Sequence, residues 1–263
     1  MQPGKLQRWN RIFSEDGNAI IVAMDHAGGG GPLPGLERPG ETIARLVAAG
    51  VDGIMTTYGT ARSFQADLKG RGLILRIDDG DHLNYGVEDA LRIGADAVIC
   101  MGWVHEDFQK NRDLAYLAQV ACDCERWGMP FMGEMVPYEH IPFFYDAKNP
   151  PKSSMGDAVA RACRVGAELG ADFIKTMYTG DPQTFRKAVE GTYAPLLVLG
   201  GEFKAGQTRQ MLTNVWESIH AGGHGVVMGR QIWAHPEPAK VAGALGVIIH
   251  EGGAVADAMA RLD

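Results

Sequence analysis

Short apolar runs recur along the chain and set its most regular pattern. There are eight, at residues 19–24, 53–56, 73–77, 97–101, 130–135, 173–176, 196–199 and 225–228. Each run is nearly continuous in apolar residues, which is typical of strands that are covered on both faces in a parallel sheet. The pattern therefore predicts eight buried strands with amphipathic segments between them.

The intervening segments carry the signals of helices. Pro39 opens one predicted helix, which ends near Gly50, because glycine is a common stop at a helix C-terminus. Residues 153–170 repeat the amphipathic pattern. Further along, Asp181 is suited to cap a helix and Pro182 to occupy its first turn. Strand and helix thus alternate through the chain.

Eight strand and helix units in 263 residues predict an α/β fold, a single (β/α)8 TIM barrel in which residues 1–263 form one domain. An open doubly wound sheet is the alternative. Its glycine-rich fingerprint should open a helix after the first strand, but the four glycines at 28–31 are followed at once by Pro32 and Pro34. The barrel is therefore favoured.

Charge and composition narrow the classes of partner. The net charge is −7 and no run of Lys or Arg occurs, so we expect neither nucleic acid nor a membrane as a partner, but a small molecule. The four cysteines lack CxxC spacing, and the scattered histidines lack the spacing of a metal site. No segment approaches 18 apolar residues. We expect a cytoplasmic protein without a metal or another cofactor.

Four residues at predicted strand ends could carry chemistry. In a barrel the active site lies where strands lead into the following helices. Asp25 and His26 end the first strand, Glu134 ends the fifth and Lys175 ends the sixth. A lysine held among buried side chains is costly to keep charged, which favours its use as a nucleophile, and nearby carboxylates can relay protons.

Each of these residues also has an ordinary structural interpretation. Lys175 could cover apolar surface with its stem while its amine reaches water. Asp25 could cap a helix or a loop, and Glu134 could be a salt-bridge partner. His26 is expected to support the site or contact the substrate.

The predicted ends of strands seven and eight carry glycine turns. Gly200 and Gly201 follow one strand, and Gly229 and Arg230 follow the other. Backbone N–H groups without side chains, together with one guanidinium, suit a bound anion, and barrels frequently bind phosphate at this position. The alternative is that the glycines only permit tight turns.

Taken together, these motifs resemble those of the class I, Schiff-base aldolases of the archaeal-type fructose-bisphosphate aldolase family, which is allied to deoxyribose-phosphate aldolase. The resemblance rests on residues 23–26 (AMDH), 171–182 (ADFIKTMYTGDP) and 228–233 (MGRQIW). It implies reversible, metal-independent aldol cleavage or condensation of a phosphorylated ketose such as fructose bisphosphate, within a homo-oligomer.

The resemblance also implies roles for individual residues. Lys175 would form the imine and Asp25 would transfer protons, while Gly200, Gly201, Gly229 and Arg230 would hold the phosphate.

One position departs from the family pattern. Family members, and a related synthase of an aromatic-pathway amino sugar precursor, usually carry a tyrosine and a proline after strand five, where this chain has Val136 and Pro137. Glu134 instead resembles the strand-five glutamate of tagatose-bisphosphate and sulfofructose-phosphate aldolases. The acid/base residue is thus Glu134, Tyr138 or Asp25. A thiolase-like or aldol-type transferase of the autoinducer-2 branch, acting on a phosphorylated ketone, is the alternative activity.

Overall fold

A computed structural model describes residues 1–80, 82–142, 144–148 and 150–262, without the side chains of Arg112 and Asp113. Eight parallel strands close into a barrel in chain order, which confirms the predicted (β/α)8 fold. The strands are β1 (Ala19–Ala23), β2 (Gly53–Thr56), β3 (Gly72–Arg76), β4 (Ala97–Val104), β5 (Phe131–Pro137), β6 (Phe173–Thr176), β7 (Leu196–Leu199) and β8 (Gly225–Met228).

Helices surround the barrel, and two of them begin at Pro39 and Pro182 as the sequence predicts. They are α1 (Pro3–Ile12), α2 (Ala27–Gly30), α3 (Pro39–Ala48), α4 (Tyr58–Ser63), α5 (Val87–Arg92), α6 (Ala115–Trp127), α7 (Met155–Glu168), α8 (Pro182–Glu190), α9 (Thr208–His220), α10 (Arg230–Trp233), α11 (Pro238–Ile249) and α12 (Val255–Ala260). Asp181 caps α8 by accepting a 2.8 Å hydrogen bond from the N–H of Thr184. Within the described ranges, no helix is both long and apolar enough to cross a bilayer.

Strands β4 and β5 extend further than their apolar runs indicate. They pair in register from Val98 opposite Phe131 to Val104 opposite Pro137, so β4 continues three residues and β5 two residues beyond their predicted ends. Glu134 therefore lies in the middle of β5, and not at its end as the sequence predicts.

The interior of the barrel is filled by alternate residues of the strands. Phe173 of β6 is fully buried and contacts Phe13 edge to face at a centroid distance of 5.3 Å. Phe13 stacks on Trp9 of α1 at 4.2 Å, so the first helix closes the N-terminal end of the barrel. Because side chains alternate between the two faces of a strand, Lys175, two residues after Phe173, also points inward.

A repeated turn fixes the N-terminal ends of three strands, β2, β4 and β6. Glycines with positive φ precede β2, β4 and β6 by three residues, and an aspartate directly precedes each strand. Each aspartate accepts the N–H of a residue at the start of the neighbouring strand, at 2.7 to 3.1 Å: Asp52 from Ile20, Asp96 from Leu73 and Asp172 from Phe131. Basic side chains pair with these aspartates: His250, Arg11 and Lys5. These contacts therefore stabilise the N-terminal end of the barrel.

Candidate active site

Lys175 and Glu134 form a buried ion pair at the centre of the opposite, C-terminal end. The two residues are direct partners in the register of β5 and β6, and both side chains point into the barrel. The Nζ atom of Lys175 lies 2.6 Å from Oε1 of Glu134, and each residue is only 6% exposed. Removing either partner would leave the other as a buried charge without its neighbour, which is strongly unfavourable.

Arg76, which the sequence prediction missed, holds this pair together with Asp25. Its Nε donates to Oδ2 of Asp25 at 3.0 Å, and its Nη2 donates to Oε2 of Glu134. Its Nη1 donates to Oδ1 of Asp78 at 3.1 Å. Arg76 is the last residue but one of its apolar run, as Lys175 is, and that shared signal could have identified it.

The charges of this cluster keep its carboxylates ionised. Burial by itself would raise the pKa of Glu134, but the charges of Lys175 and Arg76 outweigh it and hold that pKa below its usual value. Burial also opposes ionisation of Asp25. However, His26, Arg76 and Lys175 together hold the pKa of Asp25 well below its ordinary range. Glu134 and Asp25 are therefore ionised at neutral pH.

Asp78 holds the guanidinium of Arg76 in place. Its Oδ2 accepts the N–H of Met101 at 2.7 Å, and the hydroxyl of Tyr116 donates to the same oxygen at 3.3 Å. Burial raises the pKa of Asp78 above its usual value. These contacts fix the end of β3 against β4, so the Arg76 side chain has one well-defined direction.

The predicted anion turns meet Lys175 in one small cavity of about 140 Å³. Its lining includes Lys175, Glu134, His26, Gly200, Gly201, Gly229 and Arg230. The Nε atom of Arg230 is buried and has no hydrogen-bond partner among the described residues, while its Nη1 lies 3.5 Å from Glu202. The structure thus brings Lys175 and Glu134 together with the predicted anion-binding residues.

Gly229 owes its identity to close packing. A Cβ atom at this position would lie 2.5 Å from the carbonyl oxygen of Ala23 and 2.8 Å from the ring of His26. Only glycine lets this turn approach β1 so closely. The indole of Trp233 donates to the same carbonyl at 2.9 Å and holds the end of α10 against the barrel.

A larger cavity of about 560 Å³ opens beside the first one and shares His26 with it. Its lining includes Asp25, Arg76, Asp78, Asp79, Thr57, Tyr58, Asn84, Tyr85, Met101 and Trp103. Asp25 and Arg76 therefore connect the Lys175 centre to a space large enough for several further atoms of a substrate.

Tyr138, an alternative acid/base residue, lies in an aromatic cluster. Its ring stacks on Phe144 at a centroid distance of 4.4 Å and lies 4.1 Å from the ring of His105. Val136, at the family's tyrosine position, is buried in β5. Tyr138 is not among the described residues that line either cavity. Glu134, in contrast, contacts Lys175 directly.

Comparisons with known proteins identify the family of the chain. Residues 19–235 match the DeoC/LacD family aldolase, and the chain belongs to that family. It is 34% identical to the 2-amino-3,7-dideoxy-D-threo-hept-6-ulosonate synthase of Halobacterium salinarum, over 98% of this chain and 96% of the relative. It is 30% identical to the 2-amino-4,5-dihydroxy-6-oxo-7-(phosphonooxy)heptanoate synthase of Streptomyces griseus, over 94% and 90%.

Solved structures give the same classification. A Schiff-base-forming fructose-1,6-bisphosphate aldolase superposes with a TM-score of 0.78 at 27% identity, covering 94% of this chain and 100% of that one. An archaeal fructose-1,6-bisphosphate aldolase gives 0.77 at 28% identity with the same coverage. The protein is thus an enzyme of the class I aldolase type.

Proposed function

We propose that this enzyme forms an imine between Lys175 and a phosphorylated ketone, and makes or breaks the carbon–carbon bond next to the imine carbon. The observation that carries the proposal is the 2.6 Å contact between Nζ of Lys175 and Oε1 of Glu134 inside the barrel. A buried amine beside an ionised carboxylate has both the nucleophile and the proton acceptor that imine formation needs.

Imine formation begins with proton transfer from the Lys175 ammonium to Glu134. The free amine adds to the substrate carbonyl and gives a carbinolamine. Glu134 then returns the proton to the departing hydroxyl, water leaves, and a cationic iminium forms. Arg76, which donates to the other oxygen of Glu134, keeps that carboxylate directed at Nζ during both transfers.

Cleavage uses the iminium as an electron acceptor. Asp25 takes the proton of the hydroxyl on the carbon that becomes the aldehyde, the carbon–carbon bond breaks, and its electron pair forms an enamine. Protonation of the enamine and hydrolysis of the imine release the ketone and restore Lys175. Asp25 suits this step because it lines the larger cavity, where the aldehyde half of the substrate would lie.

Gly200, Gly201, Gly229 and Arg230 would bind the phosphate of the ketone. Support comes from their position in the cavity that contains Lys175 and from the buried, unpartnered Nε of Arg230. Backbone N–H groups at the start of α10 have no partner within the helix, so they too can donate to an anion. His26 contacts the substrate between the two cavities.

The reaction could run as cleavage of a ketose or as condensation. The Streptomyces griseus relative is named for a product with a hydroxyl two carbons from a ketone and a phosphonooxy group beside that ketone. Such a β-hydroxy ketone is an aldol product, so a synthase of this kind is a second candidate. A requirement for coenzyme A would instead indicate the transferase activity. We further expect a homo-oligomer, which light scattering would measure.

Reductive trapping tests the imine directly. Borohydride added with a phosphorylated ketone should attach the ketone to Lys175, as read by peptide mass spectrometry. Lys175→Met should abolish the adduct, whereas Lys187→Met, at an exposed site on α8, should keep it. Absence of an adduct at Lys175 in the active enzyme would overturn the proposal.

A further inference from the structure

The two cavities that meet at Lys175 differ in charge. The smaller one contains Lys175 and Arg230, with Glu134 as its one acidic residue among those described. The larger one contains three carboxylates, those of Asp25, Asp78 and Asp79, and within the described part of the chain Arg76 is its one Lys or Arg side chain.

Arg76 already pairs with three carboxylates. Its Nε, Nη1 and Nη2 atoms each donate to a different carboxylate, those of Asp25, Asp78 and Glu134. A phosphate entering the larger cavity would compete with these three carboxylates for the guanidinium. It would also lie beside their negative charges, an arrangement that is unfavourable at short range.

The remaining lining of the larger cavity suits a neutral group. Tyr58 and Tyr85 stack with their ring centroids 4.6 Å apart, and Thr57, Asn84 and Trp103 add a hydroxyl, an amide and an indole. Such side chains bind sugar hydroxyls and the apolar faces between them. They do not neutralise a dianion.

We infer that the substrate carries a single phosphate, bound in the smaller cavity, and extends into the larger cavity as an uncharged chain of hydroxyl-bearing carbons. The inference rests on the proposed aldolase function. It narrows the substrate class to ketose 1-phosphates and argues against a bisphosphate.

The corresponding reaction balances simply. For fructose 1-phosphate, the bond between C3 and C4 breaks, C4 becomes the carbonyl carbon of glyceraldehyde, and C3 receives a proton to complete dihydroxyacetone phosphate. With fructose 1,6-bisphosphate the aldehyde would be glyceraldehyde 3-phosphate, whose phosphate would lie in the acidic cavity.

Competition between these two aldehydes tests the inference. With dihydroxyacetone phosphate as the donor, kcat/KM for glyceraldehyde should exceed that for glyceraldehyde 3-phosphate by at least about tenfold, and added salt should narrow the difference because salt screens repulsion. Equal use of the two aldehydes, or preference for the phosphorylated one, would overturn the inference.

A matched pair of variants distinguishes the effect of charge inside the larger cavity from the effect of the protein's net charge. Asp79→Asn removes one charge from the larger cavity, and the preference for glyceraldehyde should fall severalfold. Asp123→Asn removes one charge from a groove beside α5 and α6, and the preference should stay unchanged. An unchanged preference in Asp79→Asn would contradict the electrostatic cause.

Failure of the inference and failure of the proposed function give different results. Borohydride trapping with dihydroxyacetone phosphate alone reports on imine formation at Lys175 and does not involve the larger cavity. Trapping without discrimination between the aldehydes would refute only the single-phosphate inference. Absence of trapping would refute the imine mechanism itself.

Discussion

Nζ of Lys175 and Oε1 of Glu134 lie 2.6 Å apart on neighbouring strands of the barrel, in a pair that is almost entirely shielded from water. Their adjacency follows from the register of β5 and β6, which places the two residues opposite each other. Because both side chains point into the barrel, the amine has a proton acceptor before any substrate arrives.

Glu134→Gln should keep the shape of the site but remove its proton acceptor. We expect kcat to fall roughly 10²- to 10⁴-fold, the usual contribution of a positioned acid or base. Steady-state kinetics would measure the loss. Glu139→Gln is the matched control, since Glu139 instead lies 3.2 Å from His105 at the rim. Full turnover by Glu134→Gln would exclude Glu134 as the proton carrier.

Arg76→Met should shift the pH dependence of catalysis. Loss of the guanidinium removes the charge that helps to keep the pKa values of Asp25 and Glu134 low. Both pKa values should rise, so the acid limb of kcat/KM against pH should move to higher pH.

Arg76→Lys should restore the position of the acid limb only in part. An ammonium is a compact charge and cannot reproduce the three directed contacts of a guanidinium. A loss of activity that is uniform across pH, with the acid limb unmoved, would indicate a purely structural role for Arg76.

Arg230→Ala should weaken binding of the phosphorylated ketone. A hydrogen bond to a charged group contributes about 1.5–3 kcal/mol, so KM should rise roughly 10- to 100-fold while kcat changes little. Arg186→Ala is a suitable control, because Arg186 donates to the carbonyl of His220 on the outside of the barrel. A fall in kcat at constant KM would contradict a role in ground-state binding.

His250→Gln should destabilise the fold in a pH-dependent way. Hydrogen bonds and charge interactions with Asp52 and Asp16 raise the pKa of His250 from 6.5 to about 9, at distances of 3.0 and 2.8 Å. Since the folded-state pKa is raised, the stabilisation is complete below about pH 6.5 and is lost as the pH rises through 9.

We therefore expect His250→Gln to lower the free energy of unfolding by about 1–3 kcal/mol at pH 6, and by much less at pH 10. Urea denaturation at the two pH values measures this difference. His220→Gln serves as the control, because His220 contacts the backbone oxygen of Trp216 and not a carboxylate. An equal loss at both pH values would refute the linkage.

Much of the barrel was predictable because it depends on local patterns. The runs at 53–56, 173–176, 196–199 and 225–228 match β2, β6, β7 and β8 residue for residue. A strand covered on both faces must be apolar almost throughout, so its limits are visible in the sequence. The lengths of β4 and β5 were underestimated because the ends of these strands are held by pairing with each other.

The candidate site was predictable only in part. Lys175 and Glu134 stood out as ionisable residues in apolar runs, and the glycine turns by their small residues. Arg76 had a comparable setting in β3, but its importance depends on three partners that lie between 2 and 58 positions away in the chain. No local pattern contains such a set.

The sequence by itself determined the strand and helix alternation, the nucleophile candidate and the residues of the anion turns, since each is written into a few consecutive residues. The tertiary structure alone decided that Glu134, and not Tyr138, faces Lys175, that Arg76 joins Asp25 to Glu134, and that two cavities of different charge meet there. The physical reason is barrel closure. The register of the strands and the inward direction of their side chains bring residues that are distant in the sequence to one point. Burial there makes their charges act strongly on one another.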